Sequence, residues 1–202
     1  MRTENYIKFT HDWQEKAFDL DEELFGQFVK GREKLMAAGL MGGAEGIGFG
    51  NMSVRSKDQR TFVITGTGAG LQPEFLPRHM ALVTDYAFDR NFVRSIGLTP
   101  ASSESLSHAA IYQALPDVQA VVHVHHKKFW TQQLNKLPTT STLAEFGTVE
   151  LARALYNLSM SQDVRAGQMI VMGGHPEGII AFGSDLLSCI DQLIENITRS
   201  DL

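Results

Sequence analysis

The sequence predicts an α/β domain in which a mixed β-sheet is covered by helices. Three observations lead there. Apolar residues recur at helical spacing in several long segments. Short β-branched runs are bounded by glycines, the mark of strands. Strands and helices follow one another in no strict βαβ alternation, which argues for a mixed sheet rather than a parallel array.

The first helix runs from Asp21 to Ala38, with Leu24, Phe25, Phe28, Leu35 and Met36 on one face and Gly39 as a C-terminal cap. A glycine-rich stretch, Gly42 to Gly50, leads into a short strand, Met52 to Arg55. Thr61 to Thr65 reads as a second strand and runs into Gly66, Gly68 and Gly70. Leu82–Tyr86 and Phe92–Ile96 are weaker strands. Ser102 or Ser103 is expected to cap a helix that reaches Leu115 and stops at Pro116. Val118 to His125 is apolar and β-branched, a buried strand. Gly147 precedes a short helix, Thr148–Leu158. Met169–Met172 and Ile179–Phe182 read as strands around the loop 173–178. Ser184 or Asp185 caps a last helix whose Leu186, Leu187, Ile190, Leu193, Ile194 and Ile197 share a face.

Bulk properties narrow the function. With 202 residues the chain suits one compact domain, read as residues 21–202 preceded by an N-terminal segment, 1–20. Apolar residues at 43% suffice for a core, and a net charge of -5 gives no basic face for nucleic acid. A single cysteine, Cys189, excludes an intrachain disulfide and reads as core packing. The polar start, Met1 to Lys8, is unlike a signal peptide, and no apolar run is long enough to cross a bilayer. The expectation is a soluble, cytoplasmic protein acting on a small molecule, with no nucleic acid and no membrane.

The chemistry centres on His123 and His125. Residues two apart in a strand share a face, so both imidazoles project together while Val122 and Val124 project into a core. Paired imidazoles would repel if protonated and gain little from packing, whereas neutral imidazole is a good ligand for zinc and its neighbours. An exposed polar strand would also carry His-x-His, but the run from Val118 to Val122 reads as buried. A third ligand must come from elsewhere, and His175, in a glycine-rich loop, is the candidate. Glu104 and His108 lie one helical turn apart. Glu104 stands at a helix start, where the dipole favours its ionised form; beside a metal it becomes a candidate general base. His126 points away from the pair and reads as structural. Gly48–Ser53 and Thr65–Gly68 match no nucleotide fingerprint. They are either tight turns or, with Ser102 and Ser103, an anion cradle of backbone N–H groups and hydroxyls.

The ordered motifs carry a resemblance. They are Gly50 to Ser53 (Gly-Asn-Met-Ser), Ile64 to Gly68, Pro100 to Glu104 followed by His108, Ala120 to His125, Phe146 to Leu151, and Gly174 to Ala181. Together they resemble the class II aldolase/adducin family from about Asp21 to the C-terminal helix. The resemblance implies a three-layer α/β/α sandwich with a central, mainly antiparallel sheet, and a homotetramer with active sites between subunits. It implies a divalent metal, zinc above all, held by His123, His125 and His175, with Glu104 as acid/base. It places Gly50, Asn51, Thr67, Gly68, Ser102 and Ser103 at phosphate-binding positions. Zinc aldolases of the family cleave fuculose and rhamnulose phosphates; relatives act as epimerases, decarboxylases and dehydratases. The implied reaction is lyase-type: the metal chelates a hydroxyketone and the carboxylate moves protons as an enediolate forms.

Three departures bear on the substrate. The family's His-Gly becomes His175-Pro176-Glu177-Gly178, two residues longer. The segment Pro138 to Gly147 is shorter than in the sugar-phosphate aldolases. The chain stops at Leu202, short of a tail that helps cover their sites. In fuculose-type aldolases a tyrosine from the shortened segment serves as the second proton-transfer group; here Pro138 to Phe146 contains none. Adducin heads, which keep the fold without known catalysis, have lost the metal histidines that this chain keeps, which favours an enzyme over an interaction module.

Overall fold

A computed structural model describes residues 8–44 and 47–201. Residues 1–7 of the N-terminal segment, Glu45 and Gly46 of the glycine-rich stretch, and Leu202 lie outside the described residues. Among the described residues ten strands appear in chain order: β1 (Thr10–Glu15), β2 (Gly42–Ala44), β3 (Ile47–Phe49), β4 (Asn51–Arg55), β5 (Phe62–Thr65), β6 (Met80–Ala87), β7 (Phe92–Gly97), β8 (Ala120–His125), β9 (Met169–Val171) and β10 (Gly178–Gly183). The helices are α1 (Glu22–Ala37), α2 (Ser105–Ala114), α3 (Lys127–Gln133), α4 (Val149–Ser159), α5 (Gln162–Gly167) and α6 (Leu186–Asp201).

Eight strands form one sheet in the order β1-β7-β6-β5-β4-β8-β10-β9, and β2 and β3 make a separate hairpin. Only β1 and β7 run parallel; every other neighbouring pair is antiparallel. Strand alternation divides the core in two. Val121, Ile180, Phe62 and Ile64 face α2 and α4, where they meet Leu106, Ile111, Leu151 and Leu155. Val122, Val124, Ile179 and Met52 face α1, α3 and α6, where they meet Phe28, Leu35, Phe129, Ile190 and Leu193. The result is the expected three-layer α/β/α arrangement around a mainly antiparallel sheet.

Local chemistry explains the helix ends. Asp21 accepts the Leu24 amide at 2.8 Å and so caps α1, with Glu22 and Glu23 beside the positive end of the dipole. At the other end Gly39 is left-handed, φ +69°, and Leu40 N–H returns to Leu35 O at 2.8 Å, closing a Schellman motif. Asp185 caps α6 through the Ser188 amide at 2.9 Å.

Helix α2 departs from expectation, since neither Ser102 nor Ser103 caps it. Glu104 occupies the cap position and makes no capping bond with its side chain. Ser102 takes the Glu104 amide on its hydroxyl and the Ser105 hydroxyl on its carbonyl, so the chain bends one step early and the Glu104 carboxylate stays free for other partners. Four elements carry no clear sequence signal: β1, the β2–β3 hairpin, α3 and α5. Strand β1 is an edge strand, mostly half-buried or exposed, so the register that locks it to β7 leaves little alternation in its composition.

Candidate metal centre

His123 and His125 stand on β8, between β4 and β10, on the face that carries Val121. Val122 and Val124 lie wholly buried on the opposite face, as the two-residue period requires. His123 is buried, and its Nδ1 lies 3.0 Å from the Ile179 carbonyl. That carbonyl can only accept, so the ring carries its proton on Nδ1 and presents Nε2 as a bare lone pair. His125 Nε2 is 3.1 Å and His175 Nε2 3.2 Å from it. The ligand atoms of the three rings all lie within 4.8 Å of one another.

Tetrahedral zinc with bonds of about 2.0–2.1 Å holds its nitrogens about 3.3 Å apart. The donor set therefore fits a divalent metal in type and spacing. Burial, reinforced by the neighbouring imidazoles, lowers the pKa of His123 well below the ordinary value; burial and then His175 bring His125 down to about 4. Burial also lowers His175, partly offset by Glu104. At neutral pH all three are neutral, the form that binds metal.

His175 reaches the strand pair from the loop between β9 and β10. Gly178 N–H returns to His175 O at 2.9 Å, and Glu177 takes a left-handed conformation, φ +68°, so Pro176 and Glu177 form a tight turn that leaves the ring beside β8. Behind the loop runs the segment 138–147. Thr140 Oγ1 accepts the Gly173 amide at 2.9 Å, and a Cβ on Gly174 would collide with the Ala144 backbone carbonyl. Gly174→Ala is expected to cost about 1–3 kcal/mol of stability through overpacking against main chain. It should also weaken zinc binding by displacing His175. Urea unfolding and a zinc titration check both, and unchanged values for both would show that the loop yields freely.

Glu104 is buried beside this loop. Its Oε1 lies 3.8 Å from His175 Nε2, and Ser107 Oγ donates to Oε2 at 2.6 Å. One oxygen is thus held and the other faces the histidine cluster. His108, one turn along α2, faces other partners: its Nε2 is 2.7 Å from Asn51 Oδ1 and its Nδ1 2.7 Å from Ser53 Oγ. Burial takes its pKa down to about 3.

The stability consequence has a definite sign. Between pH 3 and 6.5 the unfolded chain binds a proton on His108 that the folded chain refuses, so stability falls as pH drops through that window, by up to about 1.4 kcal/mol per pH unit. Above pH 6.5 the term vanishes. Urea unfolding of the chelator-treated protein from pH 7 to 4 should show a slope shallower by about that amount in His108→Gln. Equal slopes would mean that the ring is not held neutral.

The remaining expected residues gather around the same end of the sheet. Asn51 pairs with His123 in the β4–β8 register and is buried. Gly50 is left-handed, φ +79°, and a Cβ there would press on Leu40 O and Met41. Thr67 Oγ1 donates to Ala101 O at 3.0 Å, Gly66 bridges to Ala101, and Gly68 is left-handed, φ +75°. The loop with Thr67 and Gly68 is thereby tied to the loop with Ser102 and Ser103. His126 caps α3 by accepting the Phe129 amide at 3.1 Å, a structural role, and Cys189 is buried with its thiol pushed up to about 12.

Sequence reasoning missed several residues here. Phe146 packs on His175 with ring centroids 5.1 Å apart, and Lys8 sits 3.8 Å over the Phe146 ring while reaching Glu145 at 3.4 Å. Its ammonium also helps to lower the His175 pKa. Lys8 precedes β1, which carried no signal; Ser107, Ser53 and Tyr112 are ordinary helix and strand residues until the fold joins them. An open groove of about 960 Å³ between α3, α5 and α6 is lined by Phe129, Leu137 and Met169 among others and shares no residue with the histidine cluster.

Comparison with known proteins identifies the family. Residues 33–198 match the family model described as Class II Aldolase and Adducin N-terminal domain. The chain is 33% identical over 113 residues to the "Probable L-ribulose-5-phosphate 4-epimerase UlaF" of Mycoplasma pneumoniae, a match covering 53% of this chain and 44% of that protein. The chain therefore spans under half the length of that relative. Among solved structures, an L-fuculose 1-phosphate aldolase superposes with a TM-score of 0.68 at 20% identity, covering 89% of this chain and 84% of its own. YgbL from Klebsiella pneumoniae gives 0.65 at 21% identity, covering 88% and 86%. The two structures share the fold, and the match over residues 33–198 shows that the chain belongs to the class II aldolase and adducin N-terminal domain family.

Proposed function

We propose that the chain is a metal-dependent, lyase-type enzyme that moves a proton at the carbon beside the carbonyl of a small, anionic hydroxy-carbonyl compound. One observation carries the reading: three neutral imidazoles converge, His123 Nε2 lying 3.1 Å and 3.2 Å from the other two Nε2 atoms, with a buried carboxylate oxygen 3.8 Å from His175 Nε2. His123, His125 and His175 hold the metal, and an all-imidazole donor set suits zinc. A divalent ion there supplies Lewis acidity toward a chelated hydroxy-carbonyl group. Glu104, with one oxygen held by Ser107, takes and returns the proton from its other oxygen. Gly50, Asn51, Thr67, Gly68, Ser102 and Ser103 form the subsite for the substrate's anionic group, through backbone N–H, amide and hydroxyl donors.

Within that class, epimerisation, dehydration or decarboxylation is favoured over cleavage of fuculose or rhamnulose phosphate. Retro-aldol cleavage needs a second positioned acid or base, and the segment 138–146 offers no tyrosine. Its backbone is instead packed on Gly173 and Gly174. An adducin-like interaction module would have no use for the buried histidine cluster. The test is a panel: zinc-loaded protein is offered ketose 1-phosphates and, separately, small hydroxy-carbonyl acids. Turnover is expected among the acids, and rapid release of dihydroxyacetone phosphate from fuculose or rhamnulose phosphate would overturn the preference. Retention of full turnover after the zinc is removed would overturn the metal-dependent reading itself.

The protein is also expected to be a homotetramer, each site completed by a neighbour. Light scattering should give four times the chain mass at micromolar concentration; an active monomer would count against it.

A further inference from the structure

Beneath the histidine cluster lies a chain of polar side chains that neither metal binding nor proton transfer employs. The Tyr112 hydroxyl is 2.8 Å from Ser53 Oγ, Ser53 Oγ is 2.7 Å from His108 Nδ1, and His108 Nε2 is 2.7 Å from Asn51 Oδ1. All four residues are buried, Ser53 and His108 completely. Two belong to β4 and two to α2, so the chain ties the strand to the helix.

Each link to Ser53 taken alone could run in either direction; the Asn51 end decides. Asn51 turns its carboxamide oxygen toward His108 Nε2, and that oxygen can only accept. His108 Nδ1 is therefore bare and takes the Ser53 proton, and Ser53 Oγ in turn accepts from the Tyr112 phenol. Neutral His108 then carries its single proton on Nε2 and donates to the Asn51 carboxamide oxygen. In this order every donor meets an acceptor. The reverse order would leave two bare lone pairs, on His108 Nε2 and Asn51 Oδ1, facing each other at 2.7 Å in a buried site, which is costly.

We infer that Tyr112, Ser53 and His108 are positioning residues that hold the Asn51 carboxamide oxygen inward and its NH₂ toward the site, making Asn51 an obligate hydrogen-bond donor. Asn51 stands directly across from His123 on the neighbouring strand, so its NH₂ serves a group beside the metal. An obligate donor selects an acceptor, here an oxyanion of a phosphate or carboxylate, and rejects a ligand presenting a donor there. The ligand half of the inference rests on the anion subsite proposed above; the orientation half does not.

Two measurements on the zinc-loaded protein separate them. The ¹⁵N shifts of the His108 ring report its tautomer, with Nε2 protonated and Nδ1 bare as the expected result. A protonated Nδ1 would mean a reversed chain and overturn the inference whatever binds. Titration with inorganic phosphate gives the second readout. Tyr112→Phe keeps the packing and removes one donor, and is expected to weaken phosphate about two- to tenfold. In an Asn51→Ala background the same change should add nothing. Additive losses would overturn the coupling. Absence of phosphate binding to the wild type, with the tautomer as expected, would overturn the anion subsite and leave the orientation standing.

Discussion

Glu104→Gln is expected to retain zinc and lose about 10²–10⁴-fold in the rate of proton exchange. The substitution is close to isosteric. The amide can still accept from Ser107, which lies 2.6 Å from Oε2, so the side chain should keep its place against His175. What it loses is the ability to take up and give back a proton. Because Glu104 sits at the first turn of α2 without capping it, the helix should lose little: Thermal unfolding is expected to move by no more than a few degrees. The measurement is deuterium uptake from D₂O into dihydroxyacetone phosphate, followed by NMR with zinc-loaded wild type and variant. Dihydroxyacetone phosphate serves as a probe because it presents a hydroxyketone and an anionic group in one small molecule. Parallel loss of zinc and exchange would make Glu104 a ligand rather than the acid/base. Undiminished exchange would remove it from the chemistry.

The sequence made some of this site readable because the relevant geometry is local. His123 and His125 are two residues apart in a strand, and the apolar run before them marks that strand as buried; period and burial together place both rings on one inner face. The α1 caps were equally readable, since Asp21 and Gly39 act within one turn of their own positions. What was not readable depends on contacts between distant segments. The partnership of Ser53 with His108 and Tyr112 spans β4 and α2, and nothing in either stretch announces it. Lys8 reaches Phe146 because β1 adds to the sheet edge beside β7, a pairing made by backbone bonds that leave little trace in side-chain pattern. The α2 cap departs from the expected serines for a related reason. Ser102 and Ser103 are good capping types, but Ser102 is drawn into bonds with Glu104 and Ser105, and the helix starts after it.

His175→Ala is the sharpest test of the centre, because His175 lies outside β8, the strand that carries the other two ligands. Apparent free energies of about 10–16 kcal/mol for four-ligand zinc sites amount to roughly 2.5–4 kcal/mol per ligand, or about a hundred- to several-hundred-fold in affinity. The loop that presents the ring depends little on the ring itself. Its backbone is held by Gly178 N–H to His175 O, by Met172 N–H to Gly178 O and by the Thr140 hydroxyl on Gly173, all of which survive truncation at Cβ. The variant should therefore fold and lose metal, not lose metal by failing to fold. Competition against a chromophoric chelator at pH 7 gives the affinity directly. Thermal unfolding gives it again by linkage: free zinc at a hundred times the wild-type Kd stabilises wild type by about 2.7 kcal/mol, and at that concentration a site weaker by about a hundred- to several-hundred-fold gains little. Wild-type affinity in the variant would leave a two-histidine site completed by another group, with Glu104, 3.8 Å from the lost nitrogen, the first to examine. In that case Glu104→Gln, alone or combined with His175→Ala, would release the metal, and the carboxylate could no longer be assigned to proton transfer alone.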